Sequence, residues 1–445
     1  MQYFNVKSYI HDMTPLRGDE VQYTNHHPYI ETLIFGGFAK LGLALGDIRR
    51  GVALYIFLHM ICTCLVFALG ICYLLRAGVT LRRTVLVQGI VMILPIFPMY
   101  SICMIKDTIY SAFFFIMTLM IAEMVRTNFK VLRDKRFLIA FSINSFLFMM
   151  SKVYGKHVLI CTVAVIVVVL LVRARTAPLL IATLIPLIAF RLYISVLLPA
   201  LGVAPGGIQE ALSVPFQQTA RYVTEYGDEV TKKEKKAISA VLPYKKLAKL
   251  YNPELSDPVK NKYNQDATKE DLKAYFKVWY KMGKKQPLCY LEAFLHNTYM
   301  YVDMSKKARM EYYKMDTFIQ DHPKTYPPEE YSWLYIENPP ETASMRYAVN
   351  QIILIIQKVP FLNFFVSLGM LPWILGFFAI LSIKRRKPKD ILILLPAFLT
   401  IALCLLSPVN GSSRYAMPIF YMLPYFMALF ADHPSVIPTE RRDEE

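Results

Sequence analysis

Long apolar runs separated by short polar segments constrain this chain more than any other feature. Residues 52–75 form a run of 24 residues without a charged side chain, and a helix of about 20 apolar residues spans the hydrocarbon core of a membrane. The sequence therefore predicts an all-α fold, a polytopic transmembrane helical bundle of about nine spans. The candidate spans are residues 52–75, 84–103, 108–125, 137–150, 157–172, 177–198, 362–383, 391–408 and 416–431.

Basic residues are distributed unevenly among the short loops between these runs. One alternating set of loops is rich in them: Arg76, Arg82, Arg83, Arg126, Lys130, Arg133, Lys135, Arg136, Arg173, Arg175, Lys384, Arg385, Arg386, Lys387 and Lys389. The other set carries only Lys106, Lys152, Lys156 and Arg414. The positive-inside rule places the first set in the cytoplasm. The formal net charge of +17 is then mostly a topology signal, and nucleic acid is not an expected partner.

This orientation divides the chain into four parts. Residues 1–51 form an outer segment, and residues 52–200 form an N-terminal transmembrane module. Residues 201–350 form a mainly helical extracytoplasmic domain, because basic and acidic residues are nearly balanced there and helical patterns dominate. Residues 351–445 form a C-terminal transmembrane module.

Three further helices are predicted outside the spans. Residues 28–45 are moderately apolar and are interrupted by charges, which indicates an amphipathic helix on the outer interface; a tilted extra span is the alternative. Residues 268–282, opened by Thr268 in a capping-box pattern, and residues 288–300 are predicted as helices of the outer domain. An outer N-terminal segment needs an export signal, and the first 27 residues contain no apolar stretch, so we expect a further span upstream.

Ionisable residues at the outer ends of the spans are the main candidates for a binding site: Lys106, Asp107, Lys152, Lys156, His157, Arg191, Arg414 and Tyr415. Charges at this depth are costly and usually face a cavity or a partner. A phosphate group held by lysine and arginine would suit such a cluster. The alternative is that each side chain only extends to the interface.

A second group of polar residues precedes the first span. His26 and His27 lie just before Pro28, and His27 and Glu31 share a helix face if a helix begins there. This spacing suits a divalent metal or a substrate contact, whereas an interfacial helix start with a proline is the structural alternative. Asp12, Asp19 and Glu20 are candidate carboxylate bases for transfer to a hydroxyl acceptor; the alternative is that each is a solvated charge in a loop.

Several segments resemble known proteins. Residues 26–33, with Lys40-Leu41-Gly42 following, resemble C-type membrane glycosyltransferases, which take a sugar from a polyprenyl-phosphate carrier. The whole chain is similar to a family of polytopic membrane proteins from Gram-positive bacteria whose function is unknown. The segments that carry this similarity are residues 25–28, 106–107, 211–223, 257–261, 293–299 and 414–415.

The resemblance implies a GT-C-like fold in a bacterial cytoplasmic membrane and a polyprenyl-phosphate-linked sugar as donor. It implies phosphate contacts from Lys106 and Arg414, and it assigns Asp107 to orienting Lys106 or to binding a divalent metal, with no cofactor certain. Asn5 stands where such enzymes carry the base, so the base is Asp12 or a residue upstream, unless the protein is not catalytic.

The leading function is transfer of a sugar to an envelope glycan or protein on the outer face. A non-catalytic scaffold for envelope assembly is the first alternative. A transporter of lipid-linked solutes is the second, although the repeated halves typical of transporters are not evident in the sequence.

Overall fold

The computed structural model describes residues 23–25, 27–171, 176–305 and 340–431, and this part of the chain is almost entirely helical. In the first half, two short strands, β1 (Tyr23–Thr24) and β2 (Val203–Ala204), pair in parallel. The helices of this half are α1 (Tyr29–Ala44), α2 (Ile48–Arg76), α3 (Leu81–Ile93), α4 (Ile96–Ser101), α5 (Lys106–Arg126), α6 (Lys135–Ser151), α7 (Gly155–Leu171), α8 (Ala177–Leu192) and α9 (Leu198–Ala200).

The second half contains a run of shorter helices followed by apolar ones. The shorter helices are α10 (Ser213–Tyr226), α11 (Lys232–Val241), α12 (Leu247–Leu250), α13 (Asp257–Lys260), α14 (Lys269–Lys285) and α15 (Pro287–His296). After the gap in the described residues come α16 (Ala343–Lys358), α17 (Pro360–Val366), α18 (Leu371–Lys384), α19 (Ile391–Leu405) and α20 (Ser413–Ala431).

Four helices in the described residues are long and apolar enough to cross a membrane. They are Ile48–Arg76, Lys106–Arg126, Ala177–Ala200 and Pro388–Leu405. Shorter apolar helices occupy Gly155–Leu170 and Leu368–Lys384. The described part of the chain is therefore mostly helical, with four candidate membrane-spanning helices, as in a membrane protein.

Two of the runs predicted as single spans are interrupted. The run at 84–103 breaks between α3 and α4, where Leu94 is extended (φ −72°, ψ 120°) ahead of Pro95. Proline lacks the N–H of a helical residue and disfavours helical backbone in the residue before it. The run at 362–383 is divided by a 3₁₀ turn at Leu368–Met370. Hydropathy alone therefore overestimated the continuity of these two segments.

The helix predicted at residues 28–45 is confirmed as α1, but its surface differs from the amphipathic pattern expected. Its exposed side carries Leu33 and Leu41, whereas Glu31 is buried. α1 and α2 approach so closely that a Cβ on Gly51 would lie 1.9 Å from the carbonyl oxygen of Phe38. Glycine at this crossing lets α1 fold back on α2, and this packing buries the start of α1.

The helices α10 to α15 enclose a separate apolar core around Phe216, Tyr222 and Tyr275. The predicted capping box is present: the Thr268 hydroxyl accepts from the N–H of Asp271 at 3.1 Å, and the Asp271 carboxylate accepts from the N–H of Thr268 at 3.0 Å. The helix predicted at 268–282 is confirmed. The helix predicted at 288–300 ends earlier, at His296, and is followed by a 3₁₀ turn at Tyr299–Tyr301.

Candidate functional site

The first turn of α5 forms the centre of the candidate site. Lys106 and Asp107 begin this helix, where a carboxylate suits the positive end of the helix dipole. Three other chain segments reach the same place: the start of α1, the turn between α6 and α7, and the start of α20. We call this region the site end, and it comprises His27, Glu31, Lys106, Asp107, Tyr110, Lys152, Tyr154, Arg414 and Tyr415.

A buried ion pair lies at the base of the site end. Asp107 is 1% exposed and Lys152 is 3% exposed, and the ammonium of Lys152 donates a hydrogen bond to the carboxylate of Asp107. The Lys152 nitrogen lies 4.5 Å from the ring centroid of Tyr154 and 5.3 Å from those of Tyr110 and Tyr415. The aromatic faces stabilise the cation, so Lys152 is fully engaged within the protein.

Two more cations lie nearer the surface. Lys106 is half-buried, and its ammonium nitrogen is 3.2 Å from Nδ1 of His27. Arg414 is also half-buried, and its guanidinium carbon lies 5.8 Å from the ring centroid of Tyr415. Both are close enough to Asp107 to interact with it electrostatically. Of the three cations at the site end, these two are the ones that are partly exposed, whereas Lys152 is buried.

Glu31 completes the charged set. It is 2% exposed, and within the described part of the chain neither of its carboxylate oxygens has a hydrogen-bond partner. Burial raises the pKa of Glu31 well above its usual range; Lys106 and Lys152 oppose this effect and Asp107 adds to it. The site end thus brings three cations together with two carboxylates, so a bound anion would balance the excess positive charge.

The segment that carries Arg414 is held by the end of α15 and by the 3₁₀ turn at Tyr299–Tyr301 that follows it. Asn410 is 3% exposed, its side-chain amide donates to the carbonyl of His296 at 3.1 Å, and its side-chain oxygen accepts from the N–H of Met300 at 3.1 Å. The hydroxyl of Tyr301 donates to the carbonyl of Val409 at 3.1 Å. We call residues 406–412 the docked loop, and its contacts fix the position of the residues that follow it.

The opposite end of α5 carries a different cluster, which we call the paired end. The guanidinium of Arg126 donates two hydrogen bonds of 2.7 Å to the two carboxylate oxygens of Glu123. Arg76 lies 3.6 Å from the same carboxylate. With a rise of about 1.5 Å per residue, the two ends of α5 are about 30 Å apart.

The structure brings together six of the residues predicted from the sequence: His27, Lys106, Asp107, Lys152, Arg414 and Tyr415. Asp107 was expected to orient Lys106, but its hydrogen-bonded partner is Lys152. Lys156 is half-buried and Arg191 is exposed, and no described contact joins either to the site end. Asp12, Asp19, Glu20, His26, Arg173 and Arg175 lie outside the described residues.

Two tyrosines at the site end were missed. Lys152 was predicted as a member of the set, but its pairing with Asp107 was not foreseen, and Glu31 was considered only for its spacing from His27. Tyr110 and Tyr154 carry no signal in the sequence, because aromatic residues are common throughout the apolar helices. A possible divalent metal stays a prediction; among the described residues, no three His, Cys, Asp or Glu side chains form a group that could hold a metal ion.

Comparison with known proteins gives one match. A family model described as "Family of unknown function (DUF6020)" matches residues 8–443. No curated protein and no solved structure matches the chain. Since the family model carries no activity, the resemblance to C-type glycosyltransferases stays a prediction.

Proposed function

The chain belongs to DUF6020, a family of unknown function. From the residues of its site end, we propose that it is a membrane glycosyltransferase. It moves a sugar from a polyprenyl-phosphate carrier to a cell-envelope glycan or protein. Lys106 and Arg414 bind the phosphate, and the buried pair of Asp107 and Lys152 holds them in place. The single observation that carries this proposal is the convergence of three cations on two carboxylates at one end of the bundle.

The proposed topology is about nine membrane-spanning segments, with the site end and residues 201–350 on the outer face. The basic loops, which lie together at one end of the bundle, support this topology. At the paired end, Arg76 approaches Glu123, and Lys389 donates to the Asn128 side chain at 3.0 Å, so basic loops from distant parts of the chain meet there. The positive-inside rule places that end in the cytoplasm. The site end is then at the outer face, together with the domain that holds the docked loop.

The cations of the site end suit a reaction in which a phosphate is the leaving group. When the bond between the sugar and the phosphate breaks, negative charge develops on the leaving oxygen. Positioned cations in a site shielded from water stabilise such charge far more than they would in bulk solvent. Arginine and lysine also form charge-assisted hydrogen bonds to phosphate. The domain of residues 201–350 would contact the acceptor, because it adjoins the docked loop and therefore Arg414.

A binding experiment tests this function. Purified protein is heated with polyprenyl phosphate or with uncharged polyprenol, and unfolding is followed. Polyprenyl phosphate should stabilise the protein by about 2.7 kcal/mol at one hundred times its Kd, and polyprenol should stabilise it far less. Lys106→Ala and Arg414→Ala should abolish the difference. Arg191→Ala is the matched control, because Arg191 is an exposed cation outside the site end.

The outcomes separate the competing functions. A scaffold protein would show no stabilisation by polyprenyl phosphate, and equal stabilisation of the Lys106→Ala protein would place the phosphate elsewhere. A transporter would bind the carrier without chemistry. A transferase releases polyprenyl phosphate from the sugar-linked carrier when the acceptor is present.

A further inference from the structure

Glu31 has an environment that folding alone does not explain. Both of its carboxylate oxygens are buried without a hydrogen-bond donor among the described residues. The hydroxyl of Tyr55, on α2, is also buried without a partner in that part of the chain, and the two groups lie close enough to interact electrostatically. Leaving a buried polar group without a hydrogen bond destabilises the folded state, and a charged group does so more strongly. A buried carboxylate without a partner therefore calls for an explanation other than folding.

The position of Glu31 relates it to the proposed phosphate site. His27 and Glu31 are four residues apart at the start of α1, and Nδ1 of His27 lies 3.2 Å from the ammonium nitrogen of Lys106. Glu31 is thus one turn away from a residue that touches a proposed phosphate ligand. Asp107 is engaged with Lys152, which leaves Glu31 as the carboxylate of the site end with no described hydrogen-bond partner.

We propose that Glu31 is the catalytic base of the transfer, and that the acceptor presents a neutral hydroxyl group to it. This inference rests on the proposed function. The acceptor oxygen forms a bond to the anomeric carbon of the sugar, and the bond from that carbon to the phosphate oxygen breaks. The bonding electron pair leaves with the phosphate, and the hydroxyl proton passes to a carboxylate oxygen of Glu31.

The surrounding charges favour a hydroxyl acceptor over an amine. An ammonium group would enter a site that already contains Lys106, Lys152 and Arg414, and like charges at close range destabilise one another. A hydroxyl brings no charge and supplies the hydrogen-bond donor that Glu31 lacks.

The test exploits the electrostatic link between Glu31 and a bound phosphate. An anion beside Glu31 favours its protonated form, so the affinity for polyprenyl phosphate should fall by about tenfold as Glu31 ionises. Binding to protein in lipid nanodiscs would be measured from about pH 5 to about pH 9, which covers the pKa values documented for buried carboxyl groups. Glu31→Gln removes the charge, so this variant should lose that fall and bind more tightly at the upper end of the range.

Other groups near Glu31 also titrate or carry charge: His27, Tyr55, Lys106, Asp107, Lys152 and Tyr193. His27→Asn is therefore the matched control, and it should keep the fall in affinity that Glu31→Gln loses. The second ionisation of the phosphate, with a pKa of about 6, affects all variants alike. The effect of Glu31 is therefore given by the ratio of the wild-type affinity to the variant affinity at each pH.

The results separate the proposed role of Glu31 from the proposed function of the protein. If wild type binds polyprenyl phosphate but Glu31→Gln shows the same pH dependence, Glu31 is not beside the phosphate and the inference fails alone. If wild type does not bind, both fail. Glu31→Met provides a second uncharged variant; because it also removes an unpartnered buried carboxylate, it should unfold at a temperature no lower than wild type. A marked loss of stability in both variants would assign Glu31 a structural role instead.

Discussion

The charged clusters at the two ends of α5 differ in whether all of their carboxylates are hydrogen-bonded. At the paired end, Glu123 accepts two hydrogen bonds from Arg126 and is approached by Arg76, so each charge has an opposite charge beside it. At the site end, Asp107 is likewise paired with Lys152, but Glu31 is buried without a described hydrogen bond. A structural cluster satisfies its buried carboxylates, whereas the site end keeps one whose hydrogen-bonding capacity a ligand can satisfy. This difference separates the two ends of one helix.

The largest effect should follow from breaking the buried pair at the site end. Lys152→Met leaves Asp107 buried without its partner, which typically costs about 3–5 kcal/mol of stability. Chemical unfolding in mixed micelles would measure the loss. Adding Asp107→Asn should restore much of the stability, because the unpaired charge is then gone. A loss below about 1 kcal/mol for Lys152→Met would show that the pair is well solvated.

A smaller effect is expected at the paired end. Glu123→Gln removes the charge that holds Arg126 and should cost about 1.5–3 kcal/mol, the range for hydrogen bonds to charged groups. Unlike changes at the site end, it should leave the affinity for polyprenyl phosphate unchanged. Reduced binding by this variant would contradict the assignment of ligand binding to the site end, since it would involve the paired end.

The docked loop provides a test of how the site end is held in place. Asn410→Ala leaves the carbonyl of His296 and the N–H of Met300 without their partner, at a cost of about 1–3 kcal/mol. Because the loop precedes Arg414, polyprenyl phosphate should also bind more weakly. Unfolding and binding would be measured on the same preparation. Unchanged affinity in a destabilised variant would show that Arg414 is positioned without the docked loop.

The smallest effect is expected from the capping box of α14. Thr268→Ala removes the N-cap and should cost about 1 kcal/mol. Thr268 lies in the same domain as the residues that hold the docked loop, so it is the matched control for Asn410→Ala. Its affinity for polyprenyl phosphate should equal that of wild type; weaker binding would mean that any destabilisation of the domain disturbs the site end.

The sequence predicted more of the fold than of the site's interior. Apolar runs and capping residues are local signals, and they located α2, α5 and α14. Charges in short outer loops located Lys106, Asp107 and Arg414. The burial of Glu31 depends on how α1 folds back on α2 at Gly51, and the pairing of Asp107 with Lys152 depends on how α5 and α6 pack. Such contacts between distant segments are not encoded in any one pattern.

In the proposed function, the site end binds the phosphate of a lipid carrier. The most direct measurement is an electron cryo-microscopy structure of the protein in lipid nanodiscs with polyprenyl phosphate, with a bound antibody fragment to aid alignment. We expect phosphate density in contact with the side chains of Lys106, at the start of α5, and Arg414, at the start of α20. Phosphate density at the paired end beside Arg76, or none at the site end under saturating ligand, would contradict it.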